Sequence, residues 1–195
     1  MEQTLPSREA TWDLVMEYIK SDSLRRHCLA VETAMRAYAR KYGESEDEWG
    51  IVGLVHDYDF EVHPTLDLHP EAGISVLIER GYPDWVIRAV RSHADHLGVR
   101  RDSNLEKALS AVDEMTGFIA AVALVRPSKA VADVTPSSVR KKMKDKAFAR
   151  AVSRDEMQHT ADALGVDFDD HIQFVIDAMT ANADVLGLSG VQQDA

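Results

Sequence analysis

Apolar residues recur along most of this chain at steps of three and four, and almost nowhere at steps of two. After Ser23, the residues Leu24, His27, Cys28, Val31, Met35 and Tyr38 mark one face of a helix. Gly43 is placed to end it. A second helix is expected from about Glu46 through Ile51, Val52, Leu54 and Val55, a run that is apolar nearly all round, as in a buried helix. So short a run would also suit a buried strand; the acidic lead-in and the short connection at Gly43 favour the helix. The segment from Tyr58 to Pro70 holds two prolines and reads as a loop, and Pro70 suits the first turn of another helix. That helix carries Ile74, Leu77 and Ile78 and ends at Gly81. Pro83 opens the next, which runs to His93. A long helix is expected over roughly residues 103–125, stopping before Pro127. Beyond it, Ser137 or Ser138 is expected to cap a basic helix through Arg150. Ser153 and Glu156 have capping-box spacing for a helix ending at Gly165, and a last helix starts near Asp167. The tail from Gly187 reads as frayed. The expected fold is all-α: one compact domain of 195 residues, with a helical core over 20–125 and a C-terminal helical extension over 126–188 packed on it.

Histidine and aspartate occupy unusual places in this pattern. Five of the eight histidines fall between His56 and His96. His27 lies on the apolar face of its helix. His56 and Asp57 close the buried helix, His93 sits on the apolar side of its own, and Asp113 interrupts the run ALSAVDEM. Burying an ionised carboxylate costs several kcal/mol unless it is paired or bound to a metal. One or two divalent cations would answer these local problems together. Mixed imidazole and carboxylate donors suit Zn, Fe, Mn or Co, and carboxylates also suit Mg. Such a cation lowers the pKa of bound water and supplies hydroxide at neutral pH. Taken singly, each residue has a plainer reading. His27 could be a hydrogen-bonded core histidine, Asp113 could pair with an arginine, and His69 could be a loop residue ahead of Pro70.

The ordered set His27, His56-Asp57, Asp113 resembles the HD superfamily of metal-dependent phosphohydrolases, and in particular the small bacterial proteins of the HDIG-type subgroup. The family places a first His on one helix, an adjacent His-Asp on the next and a last Asp on a later one. Members with two metals add two histidines between, and His69 in LHPEAG and His93 in RSHADH fill those places. The resemblance implies an HD-domain helical bundle and a dinuclear metal site. It also implies a hydrolase acting on a nucleotide or other small phosphate ester, as a phosphomonoesterase or phosphodiesterase. The chain departs from the subgroup at Tyr58-Asp59, where its name expects Ile-Gly. The same six ligands would serve an HD-fold diiron oxygenase, and a metal that only stabilises a non-catalytic module is a further alternative.

Other residues are candidates of the second rank. Asp59, His63, Asp95 and His96 lie close enough in sequence to the ligands for proton transfer or ligand support. Arg91, Lys141 and Lys142 are candidate contacts for a phosphate. The stretch Arg140, Lys141, Lys142, Lys144, Lys146 and Arg150 is basic against an acidic background; its plainer reading is a solvated face. The net charge of −11 argues against dedicated binding of nucleic acid. Cys28 is the sole cysteine, so no intramolecular disulfide can form, in keeping with a cytoplasmic protein. No signal peptide is evident, and no run approaches the roughly 18 apolar residues of a membrane span.

Overall fold

The computed structural model describes residues 4–191. Among these residues there are ten α-helices and no strand, so the fold is all-α as expected. The chain divides into two compact units, Met1–Ser110 and Ala111–Ala195.

The first unit opens with α1 (Arg8–Tyr18), a helix the periodicity does not announce. Its buried residues are only Thr11, Leu14 and Val15, too few to mark a stripe. Helix α2 (Asp22–Tyr42) starts slightly before the expected place, because the Ser21 hydroxyl accepts from the Leu24 N–H. It ends where Gly43 takes a left-handed conformation at φ 71°. Helix α3 (Glu46–Val55) confirms the helical reading of the short apolar run. The Ser45 hydroxyl caps it, and every residue from Trp49 to Val55 is buried. A Cβ on Gly53 would stand 3.0 Å from both Cα and N of Glu32, so this glycine sets how closely α3 approaches α2.

Residues 56–70 form successive turns, and the His69–Pro70 peptide is cis. Helix α4 (Glu71–Glu79) then buries Ile74 and Leu77, while Ile78 faces solvent. Helix α5 (Asp84–His93) follows Pro83 and has a strongly one-sided buried face through Val86, Ile87, Ala89, Val90 and His93. Arg101 fastens the end of α5, donating to the carbonyls of Ser92 (2.8 Å) and His93 (3.2 Å).

Helix α6 (Asn104–Leu124) contains the division between the units. In the second unit, α7 (Pro136–Met143) departs from expectation at both ends. Its cap is Thr135, which forms a reciprocal pair with Ser138 at the third helical position. The helix stops at Met143, and residues 145–152 turn instead. Arg154 donates to the carbonyls of Ala149 and Val152, and also bonds those of Asp145 and Phe148, which holds the segment out of a helix. Helices α8 (Arg154–Leu164) and α9 (Phe168–Thr180) begin at Ser153 and Asp167 as expected. A short α10 (Ala183–Leu186) follows. The tail read as frayed is pinned as far as it is described. Val131 N–H donates to Leu188 O (2.9 Å), Val191 N–H donates to Ser128 O (2.9 Å), and Ala130 bridges Ser189. Its last residues, 192–195, lie outside the described residues. No helix among the described residues is long and apolar enough to cross a membrane.

Candidate metal centre

The first unit gathers four imidazoles around one carboxylate. His27 Nε2 and His56 Nε2 lie 3.7 and 3.6 Å from Asp57 Oδ2. His69 Nε2 and His93 Nε2 lie 3.2 and 3.3 Å from Asp57 Oδ1. Each oxygen of Asp57 therefore faces its own pair of histidines. Burial works against the Asp57 charge, yet His56, His69 and His93 hold its carboxyl well below the usual carboxylate range.

Helix ends fix how these rings point. The last carbonyls of a helix have no intrahelical partner. His56 follows α3 directly, and its Nδ1 donates to Gly53 O at 2.8 Å. His93 is the last residue of α5, and its Nδ1 donates to Val90 O. A carbonyl oxygen only accepts, so in both rings Nδ1 carries a proton and Nε2 is the atom turned toward Asp57. His69 is turned differently. Its Nδ1 is 2.8 Å from Oδ1 of Asp59, a fully buried carboxylate whose other oxygen has no hydrogen-bond partner. Gly73 makes room for Asp59, since a Cβ there would come within 2.9 Å of the Asp59 side chain.

The spacings suit a cation. His69 Nε2 and His93 Nε2 are 3.1 Å apart, and both lie near Asp57 Oδ1. Three acceptors so close need a proton or a positive ion among them. Without a cation the proton settles on His69: burial alone would lower its pKa, but hydrogen bonds that the ring donates to Asp57 and Asp59 raise it to about 9. Donor atoms that share a cation with bonds of about 2.1 Å stand roughly 3.0–3.4 Å apart in tetrahedral or octahedral arrangements. The His69, His93 and Asp57 distances fall in that range. The His27 and His56 contacts to Oδ2 are somewhat longer, and too long for good charge-assisted hydrogen bonds, which run about 2.7–2.9 Å. The donor atoms of His27, His56 and Asp57 lie within 4.8 Å of one another, as do those of Asp57, His69 and His93. This His/Asp group could hold a metal ion.

The remaining candidates are placed as follows. Asp113 is half-buried on α6 in the second unit, where its backbone carbonyl accepts from Thr116 Oγ1 (2.9 Å). Arg91 forms a two-pronged ion pair with Glu71, at 2.6 and 3.0 Å. Asp95 and His96 are exposed on a short 3-10 turn, with Asp95 paired to Arg101. His63 is half-buried on the 56–70 loop. In the second unit, Lys141 is exposed and Lys142 Nζ sits 4.8 Å above the ring of Phe148. Phe60 was not singled out in the sequence. Its ring meets that of His69 at 5.2 Å and 89°, a contact within the 56–70 turns that no helical spacing announces. Arg101 was missed as well, because nothing local announces that it reaches back to α5.

An all-α chain that converges imidazoles on the two oxygens of one aspartate belongs among helical proteins fit to bind divalent cations. Residues 24–117 match the HD domain family, which supports membership of the HD superfamily. HD domains define a superfamily of metal-dependent hydrolases. Comparison with the curated proteins and with the solved structures yields no match.

Proposed function

We propose that the protein is a metal-dependent phosphohydrolase acting on a small phosphate ester, as a phosphomonoesterase or phosphodiesterase. The observation that carries this reading is the division of labour at Asp57, with His27 and His56 at one oxygen and His69 and His93 at the other. In this reading Asp57 and the four histidines would hold the divalent cations. His27 and His56 would serve one oxygen of Asp57, and His69 and His93 the other. Asp113 enters because the family pattern ends on an aspartate and the matched segment extends past it. When bound, the cations acidify a water and neutralise phosphoryl charge. Gly53 O and Val90 O orient His56 and His93 by holding their Nδ1 protons, and Asp59 orients His69. A cleft of about 410 Å³ is lined in part by His27, so one ring of the cluster is open to a substrate. A purely structural cation site would be closed.

The finer placements are part of the same proposal. They are the HDIG-type subgroup, a core over 20–125 with an extension over 126–188, a small anionic partner rather than nucleic acid or membrane, and a cytoplasmic location. The test is phosphate release from a panel of mono- and diesters by protein loaded in turn with Mn, Co, Mg, Fe and Zn. Release with at least one metal, lost in His56→Ala, is expected. Metal-loaded protein that cleaves no ester in the panel would overturn the reading. Iron-loaded protein that consumes O₂ but frees no phosphate would make it the diiron oxygenase instead.

A further inference from the structure

The cleft beside His27 bears on what kind of ester the site takes, an inference that rests on the phosphohydrolase reading. The cleft is lined by His27, Phe60 and Pro64, and Leu24 adds to its apolar surface. The Phe60 ring touches His69 yet stays 39% exposed, so it offers a surface to a ligand. The cleft is thus bordered by His27 of one histidine pair and by Phe60, whose ring meets His69 of the other. A phosphoryl group held at Asp57 would leave its ester substituent against Leu24, Phe60 and Pro64.

The charge on the cleft wall selects further. Glu61 is the one charged side chain in the lining. Its carboxylate is locked in place by the N–H groups of Lys20 (3.1 Å to each oxygen) and Ser21 (2.9 Å). A second phosphate in the cleft would meet this carboxylate and no lysine or arginine from the lining. We propose that the substrate is a phosphate ester whose organic group is uncharged and planar or apolar, stacked on Phe60, and that it carries no further phosphate there. A nucleoside monophosphate or an aryl phosphate meets this description; a nucleoside triphosphate or a bisphosphate does not.

The test is calorimetric titration of Mn-loaded protein with phenylphosphonate, methylphosphonate and pyrophosphate, none of which requires turnover. Phenylphosphonate is expected to bind about tenfold more tightly than methylphosphonate, the gain from covering one face of an aromatic ring. In Phe60→Ala that preference should fall to about twofold or less, with Phe60→Leu between, because most of the apolar contact is gone. Affinity for methylphosphonate should be unchanged in both variants, which shows that the metal cluster is intact. Equal binding of the two phosphonates, a preference undiminished in Phe60→Ala, tighter binding of pyrophosphate, or no binding of either phosphonate would each overturn the proposal. The phosphohydrolase reading fails separately, if the phenyl preference stands but no ester is turned over.

Discussion

Replacing Asp59 with asparagine should separate the two halves of the metal cluster. Asp59 is fully buried, and its Oδ1 lies 2.8 Å from His69 Nδ1. His56 and His93 instead lean on the neutral carbonyls of Gly53 and Val90. An asparagine oxygen can still accept from Nδ1, so the ring stays in place and only the charge is removed. A hydrogen bond to a charged group contributes about 1.5–3 kcal/mol, against about 1 kcal/mol for a neutral one. No water can make up the difference at a site with no exposure. Losing a carboxylate behind a ligating histidine lowers metal affinity by about 10–100-fold, or roughly 1.4–2.7 kcal/mol. The loss should fall on the cation held by His69 and His93 and spare the one held by His27 and His56. Equilibrium dialysis with Mn, followed by elemental analysis, reads both affinities. Equal weakening of both cations, or of neither, would refute the reasoning.

Other perturbations follow from the same geometry. In cation-free protein His69 has a pKa of about 9, above the unfolded value of about 6.5. Its contribution to stability is therefore fully present below pH about 6.5 and lost as pH rises through about 9. Thermal melts of chelator-treated protein between pH 6 and 10 should show this decline, and His69→Gln should flatten it. Gly53→Ala drives a Cβ to 3.0 Å from the backbone of Glu32. It should cost about 1–3 kcal/mol in urea unfolding, and weaken cation binding by shifting His56 against His27. Glu32 is buried and accepts from Arg8 (2.6 and 2.9 Å) and Arg36 (3.0 Å). Glu32→Ala should cost about 3 kcal/mol by the same assay, at the low end for a broken buried pair because Arg8 reaches solvent. Cation stoichiometry should be unchanged in that variant.

Local signals account for what was legible in the sequence. Helices α2 to α6, α8 and α9 each carry an apolar stripe, a capping residue or a stop at glycine or proline, and all of these act within a few residues. Helix α1 lacks a stripe because it buries Thr11 as well as Leu14 and Val15. The basic helix ends early because Arg154, several residues away, takes the carbonyls that would have continued it. The tail looked free because its partner, the chain at 128–131, is remote in sequence. At the site, the positions of His27, His56, Asp57 and His93 follow from helical period and chain order. The hold of Asp59 on His69, the ring of Phe60 beside it and the space left by Gly73 depend on how the 56–70 loop closes onto α4. No local spacing encodes that closure.

The most direct test of the central claim is elemental analysis of protein dialysed after Mn loading, wild type beside Asp57→Ala. If Asp57 joins two cation sites, wild type should retain two equivalents per chain, and the variant should lose both or keep one weakly. A wild-type protein that retains no cation, or an Asp57→Ala variant that keeps the full complement, would contradict the account.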